Sequence, residues 1–435
     1  MKKIIAMLLT VCMMVAITAC GQSSQNTSSG APAGTASSAS SKPVNMKLWI
    51  FLNPENTSDP RNVVLKEIVD DYNKNNKNGN TVTVESINYS KFESQCIQAA
   101  AAGTGPDILN IYTDMLQQHI AGGTVQPMTS MAKDFIGTMP DYLYKADDLT
   151  VNGEIYTLPW EMRTFVYWYR SDAYSSVPKS WDQLISMAGP KTNNTTLGFT
   201  FGLSDGGNGA GFMESFVPLL KSAGGQLFDS KGKATFNSDA GVKVLDLMKS
   251  MVSKKVMNNT SLSMTVDDVQ SGLQAGTILS CDLGTQRAAA ISKSANSAKI
   301  KSAPIPGFDD GIAAPAVVAG QSLGIGAHAQ DPAASFDFIK TFYSPENQKK
   351  WMKANVLTVR QSLYDDAEIK ALPNYDNLKT WSDYAAEGKV EFYPADYAEL
   401  SVKLVQAAQS VIFKGEDAKT QLDNVANWYN QKNGK

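Results

Sequence analysis

The sequence predicts an α/β protein with two domains, and three observations predict this fold class. Apolar strands alternate with amphipathic helices between residues 45 and 113, and an order of strand, helix and strand builds a parallel sheet with right-handed crossovers. A second series of strands and helices begins near residue 155. The chain after residue 43 is long enough for two domains of ordinary size.

The N-terminus has the order of a bacterial export signal. Lys2 and Lys3 precede a mostly apolar stretch over residues 4–17, which small residues follow, and this order is typical of a secretory signal peptide that is later removed. Ile17-Thr18-Ala19-Cys20 also resembles a lipobox, whose cysteine becomes the lipid-bearing N-terminus. We therefore expect residues 1–19 to be a lipoprotein signal peptide and Cys20 to carry lipid.

Residues 20–43 have the composition of a flexible tether, because Ser, Gly, Ala and Thr dominate and almost no side chain there could enter a core. Two acyl chains, such as palmitate, hold a protein at a membrane where one chain is marginal. No later segment approaches 18 uninterrupted apolar residues, so the sequence predicts no other membrane crossing.

Composition argues against several classes of protein. Cys96 and Cys281 are far apart in apolar runs, which favours two buried thiols over a disulfide. With His119 and His328 as the two histidines, no Cys/His cluster has the spacing of a zinc site. The net charge of −3, with both signs interspersed, provides no basic surface for nucleic acid.

The first region predicts five elements. Asp59 is suited to cap a helix, Pro60 is tolerated at its first position, and an apolar stripe follows. Ser90 and Glu93 form a candidate capping box. The expected elements are a strand over 45–51, a helix after Asp59, a strand over 81–88, a helix from Ser90 to Gly103 and a strand over 106–113.

The second region predicts further strands and helices. Asp331-Pro332 and Ser344-Pro345 each place a capping residue before a proline, which is a signal of helix initiation. Expected strands cover 156–160, 164–169, 197–203, 277–283 and 315–327. Expected helices follow Ser180, Asp331 and Ser344 and cover 211–223, 238–254, 265–275, 396–413 and 416–431.

Two short motifs imitate catalytic or cofactor signatures. Gly202-Leu203-Ser204-Asp205-Gly206 fits a nucleophile elbow, but a loose glycine-rich loop follows and the only downstream histidine is His328. Gly324, Gly326 and Ala329 imitate a dinucleotide fingerprint without the βαβ unit that should accompany it. Both are better interpreted as chance or packing. A pair of glycosidase carboxylates stays open, because their separation in space cannot be read from the sequence.

The stretch LPWEMRTFVYWYR (158–170) combines flat aromatic rings with planar hydrogen-bonding groups. A sugar ring can pack its CH face on an aromatic ring while its hydroxyls bond to such groups. Strand alternation sends half of these side chains into a core. We expect Trp160, Glu161 and Arg163 near a cleft and Trp168 buried.

Several blocks together resemble the extracellular solute-binding proteins of bacterial ABC sugar importers, the family that includes maltose-binding protein. The resemblance covers nearly all of residues 44–435, and the order of the blocks is more specific than any one of them. The blocks lie at 99–115, 121–128, 153–174, 177–184, 222–248, 273–284 and 344–352.

This resemblance implies two α/β lobes of the type II periplasmic-binding kind, joined by hinge strands that cross near 158–166, 317–325 and 357–363. Lobe 1 would hold residues 44–157 and 318–358, and lobe 2 would hold 158–317 and 359–435. Open α/β sheets bind ligands at the C-terminal ends of their strands. By position, the implied ligand contacts are Asn53, Glu55, Asp114, Trp160, Glu161, Arg163, Asp282, Gln286 and Gln321, with Trp381 and Tyr393 as weaker candidates.

Two departures from the family pattern stand out. The aromatic residue that often follows the glycine near Asp282 is missing, and Arg360 replaces a common proline, which could bring a cation near the groove.

The function implied by the resemblance is capture of a sugar or oligosaccharide in the cleft and delivery to an ABC permease, without chemistry. We expect a monomer on the extracytoplasmic face of the membrane, with no cofactor, metal, catalytic residue or nucleic-acid partner. A secreted glycosidase and a sensory surface lipoprotein remain alternatives.

Overall fold

A computed structural model describes residues 42–390 and 393–435. The expected signal peptide, Cys20 and nearly all of the tether lie outside the described residues.

The first region has the predicted alternation of strands and helices. Its strands are β1 (Asn45–Ile50), β2 (Thr81–Ser86) and β3 (Ile108–Tyr112). Its helices are α1 (Pro60–Asn75), α2 (Tyr89–Ala101), α3 (Leu116–Ala121) and α4 (Thr129–Gly137). β1 pairs with both β2 and β3 in parallel, so the predicted parallel sheet is confirmed.

The rest of the chain adds six strands and eleven helices among the described residues. The strands are β4 (Thr157–Arg170), β5 (Ser280–Gly284), β6 (Ile300–Ala303), β7 (Val317–Ile325), β8 (Leu357–Thr358) and β9 (Lys389–Val390). The helices are α5 (Trp181–Ala188), α6 (Ala210–Ser222), α7 (Asp239–Ser253), α8 (Val266–Ala275), α9 (Ala288–Ser292), α10 (Pro332–Thr341), α11 (Pro345–Lys353), α12 (Ala367–Lys370), α13 (Tyr375–Ala386), α14 (Tyr397–Lys414) and α15 (Ala418–Lys432).

β4 connects two parts of the sheet. Its first half, from Thr157 to Thr164, pairs with β7, which in turn pairs with β3. Its second half pairs with β5 and β6. All these pairings are antiparallel, and the sheet order is β2-β1-β3-β7-β4-β5. The predicted strands at 156–160 and 164–169 are therefore one continuous strand.

The apolar side chains pack in two large clusters and one small one. The first cluster covers α1, α10 and α11 with one face of β4, and the second covers α5, α6, α7, α14 and α15. The small third cluster packs α2 against β3 and contains Cys96. Cys281 lies in the first cluster, and both thiols are free and buried.

Helix starts follow the capping signals in most cases. Asp59 accepts a hydrogen bond from the backbone N–H of Arg61 at the start of α1, and Asp331 and Ser344 cap α10 and α11, which also begin with proline. Each such cap satisfies N–H groups that have no partner inside the helix. Two predicted starts differ: Ser180 makes no side-chain cap hydrogen bond at the start of α5, and α2 begins at Tyr89, so Ser90 lies inside that helix rather than at its cap.

One predicted strand is wrong. Residues 197–203 make only isolated bridges, between Leu197 and Ile278 and between Thr200 and Cys281. Phe199, Phe201 and Leu203 are nevertheless fully buried, so the apolar run reflects core packing rather than a continuous ladder.

The glycines that imitate a dinucleotide fingerprint are explained by close packing. A methyl group on Gly326 would overlap the carbonyl oxygen of Pro106, and one on Gly324 would lie 2.9 Å from the carbonyl oxygen of Tyr156. Backbone segments approach too closely at β7 for a side chain at either position.

Among residues 42–390 and 393–435, no helix combines the length and the apolar character needed to cross a bilayer. Within the same ranges, His, Cys, Asp and Glu form no group of three or more suited to a metal ion.

Candidate ligand-binding site

Polar side chains from β4, β5, α6 and the turns after β3 and β5 converge in one place. We call Asp114, Arg163, Glu214, Asp282 and Gln286 the polar cluster. Arg163 lies close enough to both Asp114 and Glu214 to stabilise their charged forms, and Glu214 lies close enough to Asp282 to disfavour its charge. The cluster therefore joins residues from distant parts of the chain.

Arg163 is the cation of the cluster. Strand alternation places it on the same face of β4 as Glu161, and its Nε lies 3.7 Å from Glu161 Oε1. Its guanidinium carbon lies 4.9 Å from the ring centre of Tyr112, within the range of a cation–π contact. One Nη atom donates to the carbonyl oxygen of Gly320 at 3.4 Å, whereas the buried Nε has no hydrogen-bond partner.

Asp282 is the most deeply buried carboxyl of the cluster. It pairs with Tyr167 across the β4–β5 ladder and is 3% exposed, and neither of its carboxyl oxygens has a hydrogen-bond partner. Burial raises its pKa well above the ordinary value, the nearby Ser215 hydroxyl opposes that rise, and the charge of Glu214 adds to it.

Glu214 lies in the second turn of α6, beside Asp282. Its Oε2 is inaccessible to solvent and lacks a partner. Burial raises the pKa of Glu214 to about 7, although Arg287, Arg163 and the backbone N–H of Gly284 act in the opposite direction. A carboxyl with this pKa changes its charge near neutral pH, which is common at functional sites.

Gln286 reaches the cluster because residue 284 is glycine. A methyl group on Gly284 would overlap the side-chain amide of Gln286, so the amide lies directly over the strand end. Its Oε1 is buried and has no partner.

Asp114 follows β3 and faces the cluster from the first region of the chain. Burial raises its pKa, and Arg163 and two backbone N–H groups partly offset this. Its Oδ1 has no partner, while its backbone carbonyl accepts from the N–H of Tyr393 at 3.2 Å. Burial likewise raises the pKa of Tyr112, whose ring stacks on Phe51.

A small cavity lies beside the cluster between Arg61, Glu161 and Gln286. Its volume of about 10 Å³ is close to that needed by one water molecule. Arg61 is held at its edge by an ion pair with Asp59 at 2.6 Å.

The structure brings together five of the predicted contacts: Asp114, Glu161, Arg163, Asp282 and Gln286. Gln321 and Tyr393 lie next to them. Gln321 is buried and accepts from Asn110 at 2.7 Å, opposite Glu161 in the β4–β7 ladder.

Four other predicted contacts are either exposed or packed in the core. Asn53 and Glu55 are exposed, and the Asn53 side chain accepts from the N–H of Glu55. Trp160 is 0% exposed, packs on Phe342 and Trp351 and is a core residue rather than a cleft residue. Trp381 is also a core residue, since it is buried against Trp168 and donates to Ser302.

Arg360 does not supply a cation to the cluster. It forms an ion pair with Asp141 at 2.6 Å and donates to the carbonyl oxygen of Tyr343. Its charge is thus satisfied away from the cluster. Trp168 is buried, as predicted.

Glu214 and Tyr112 were not predicted from the sequence. Glu214 is the one charged residue in the apolar stretch GFMESFVPLL, and an isolated carboxyl in such a stretch indicates a buried polar role. Tyr112 ends a buried strand, where α/β folds place ligand contacts.

The architecture is that of two-lobe ligand-binding proteins, in which strands cross between α/β lobes and polar groups converge where the lobes meet. The chain belongs to the bacterial extracellular solute-binding protein family, whose model matches residues 67–377. A solute-binding protein of Thermotoga lettingae, solved with α-D-tagatose, is similar over 90% of this chain and 99% of its own, with a TM-score of 0.76 and 18% identity.

Two further proteins are similar to this chain. The GacH receptor of Streptomyces glaucescens, solved unliganded and with acarbose, has a TM-score of 0.75 and 17% identity, covering 90% of this chain and 98% of its own. A probable ABC transporter-binding protein of Deinococcus radiodurans is 24% identical over 281 residues. That match spans 61% of this chain and 66% of the Deinococcus protein.

Proposed function

We propose that this protein captures a carbohydrate in the polar cluster and delivers it unchanged to an ABC importer. The observation that carries this proposal is the convergence of buried polar atoms without partners on Asp114, Arg163, Asp282 and Gln286. Buried polar atoms are costly unless they form hydrogen bonds. A polyhydroxylated ligand supplies both donors and acceptors to such atoms.

The comparisons support a carbohydrate. The T. lettingae protein holds α-D-tagatose and GacH holds acarbose, and this chain has the same fold. We extend the proposal to the lobe boundaries expected from the sequence, with residues 44–157 and 318–358 in lobe 1 and the remainder of 158–435 in lobe 2. In that division, Asp114 belongs to lobe 1, whereas Glu214, Asp282 and Gln286 belong to lobe 2.

Closure follows from this division. A ligand shifts an equilibrium between two conformations only by its difference in affinity for them. A sugar that contacts Asp114 and Asp282 together does so only when the lobes approach, so its binding energy favours the closed form.

A thermal-shift screen of mono- and oligosaccharides tests the proposal. A ligand at 100 times its dissociation constant adds about 2.7 kcal/mol to the free energy of unfolding, so a true ligand raises the melting temperature. Asp114→Asn should reduce that rise. Asp134→Asn, an exposed carboxyl on α4, is the matched control and should leave it intact.

Two results would count against this function. If no carbohydrate raises the melting temperature, the protein does not bind sugars. If shorter sugars appear during incubation with oligosaccharides, the protein is a glycosidase instead.

We also propose that lipid on Cys20 anchors the protein to the outer face of the cell membrane. Anchoring keeps a receptor near its permease and raises their effective concentration. Cells fed labelled palmitate should label the wild-type protein but not Cys20→Ala, and the variant should appear in the medium. Labelled Cys20→Ala would contradict the anchor site.

A further inference from the structure

The polar cluster and its neighbour Glu161 have an excess of carboxyl groups. Asp114, Glu161, Glu214 and Asp282 provide four carboxyls; the charge of Arg163 acts on Asp114, Glu161 and Glu214, and that of Arg287 acts on Glu214. Asp282 is 3% exposed with both oxygens unpartnered. The imbalance therefore lies in a deeply buried place, where charge is poorly screened.

The other nearby guanidinium groups are already paired. Arg61 is bound by Asp59 through two hydrogen bonds from Nε and one from an Nη. Arg287 is bound by Asp267 and also donates to Gln270 at 3.0 Å. Neither forms an ion pair with Glu214 or Asp282 among the described residues.

The Glu214 and Asp282 end of the cluster is the most negative part. Tyr167, Ser215 and the Gly284 N–H surround it from β4, α6 and β5, and none of these groups is a cation. The charge of Arg287 also acts on Glu214, but Arg287 is ion-paired with Asp267. Arg163 lies toward Asp114 and Tyr112. A buried carboxylate without a cation is strongly disfavoured, and a ligand cation is one way to compensate it.

Ligand chemistries differ in how well they meet this need. A neutral sugar donates hydroxyl hydrogen bonds but leaves the charge imbalance. A uronate adds a carboxylate to a site that already has too many. A protonated amine donates up to three hydrogen bonds and supplies the missing charge.

We propose that the ligand is an amino sugar whose ammonium group lies between Glu214 and Asp282. This inference rests on the proposed function, because it places the amine on a carbohydrate held in the same site. The hydroxyls of the sugar then face Arg163, Asp114 and Gln286. Glu214 and Asp282 are the specificity-determining residues.

Calorimetric titration with matched ligands tests this inference. Glucosamine, galactosamine and mannosamine are each compared with the parent hexose and with the N-acetylated sugar, at pH 7. The glucose set is repeated as β-1,4-linked disaccharides. Hydrogen bonds to charged groups contribute about 1.5–3 kcal/mol, so at least one amine should bind about tenfold or more tightly than its parent and its acetamide.

Two conservative variants test whether Glu214 and Asp282 cause the preference for the amine. Glu214→Gln and Asp282→Asn keep the shape of the side chains and remove their charge, so each should reduce the amine preference to near one while the parent hexose still binds. Asp134→Asn should keep the full preference. Circular dichroism and melting curves confirm that each variant is folded.

The outcomes separate this inference from the function on which it rests. Neutral sugars that bind as tightly as their amines would overturn the amino-sugar inference and leave carbohydrate capture standing. Amine preference that survives in both variants would also overturn it, because the amine then binds elsewhere. If no member of any set binds while another carbohydrate does, the inference fails alone, and if no carbohydrate binds, both fail.

Discussion

Glu214 shows how a single side chain sets the electrostatics of the site. Its carboxyl is enclosed beside Asp282 without an ion-pair partner, and its pKa is raised to about 7 from an ordinary 4.5. Between those two pH values, the folded protein holds a proton that the unfolded chain has lost. The free energy of unfolding therefore falls as pH rises from 4.5 to 7.

Glu214→Gln should remove this dependence. The amide cannot ionise, so the variant should lose less stability than wild type between pH 4.5 and 7. At pH 7.5 it should be more stable by up to about 3 kcal/mol, because each pKa unit corresponds to about 1.4 kcal/mol. Chemical denaturation across this pH range measures the difference.

Glu346→Gln is the control for that series, since the Glu346 side chain is 83% exposed. Its pH profile should follow wild type. If Glu214→Gln also follows wild type, the Glu214 carboxyl is not buried in the folded protein in solution.

At the residue scale, strand alternation explains why some of the predicted contacts on β4 lie together and another does not. Glu161 and Arg163 share one face of β4, whereas Trp160, two positions from Met162, faces the first apolar cluster with Trp168. Successive side chains of a strand point to opposite faces of the sheet, so the sequence alone separates the even-numbered residues of β4 from the odd-numbered ones. Trp160 was predicted near the cleft from its proximity in the chain to Glu161, and in the structure it is fully buried.

At the element scale, strand ends and helix starts place the cluster. Helices that begin at an Asp or Ser followed by proline were predictable because cap and proline act locally. The apolar run at 197–203 was not, because whether a buried segment forms a ladder depends on its neighbours. α13 was missed although the residues that it buries, Leu378, Trp381 and Ala385, have ordinary helical spacing.

The turn after β5 provides a test at this scale. In Gly284→Ala the new methyl group would displace the Gln286 amide, which is the flexible end of a side chain and can move. The fold should therefore survive, while affinity for the ligand found in the screen falls about tenfold from the loss of one buried hydrogen-bonding group. Calorimetric titration and melting curves measure the two effects separately.

Gly137→Ala is the control for Gly284→Ala. A methyl group there meets no atom within 4 Å at the end of α4, so it should stabilise the protein by about 0.4–1 kcal/mol without changing affinity. Equal ligand affinity in Gly284→Ala and Gly137→Ala would mean that Gln286 does not contact the ligand.

At the scale of the whole molecule, the two-lobe architecture followed from the order of the blocks, because each contributes an element to a known topology. The charge balance of the cluster did not follow, because it depends on which distant charges become neighbours after folding. Arg360 illustrates this: its charge was visible in the sequence, but its partner Asp141 lies 219 positions away.

The same charge balance predicts how the lobes move. In the proposed lobe division, closure would bring Asp114 toward Glu214 and Asp282, whose ionised forms would repel each other and lose water at high pH. Without ligand, the radius of gyration measured by small-angle X-ray scattering should therefore be larger at pH 8 than at pH 5. Protonation favours the compact form for the same reason that burial raises the pKa of these carboxyls.

Saturating ligand should remove this dependence, because its contacts with both lobes favour closure at either pH. The double variant Glu214→Gln with Asp282→Asn should show a smaller change between pH 5 and 8 in the absence of ligand, since two of the three repelling groups no longer ionise. A wild-type radius that is constant with pH and unchanged by a bound sugar would mean that the lobes do not move, and capture by closure would then be wrong.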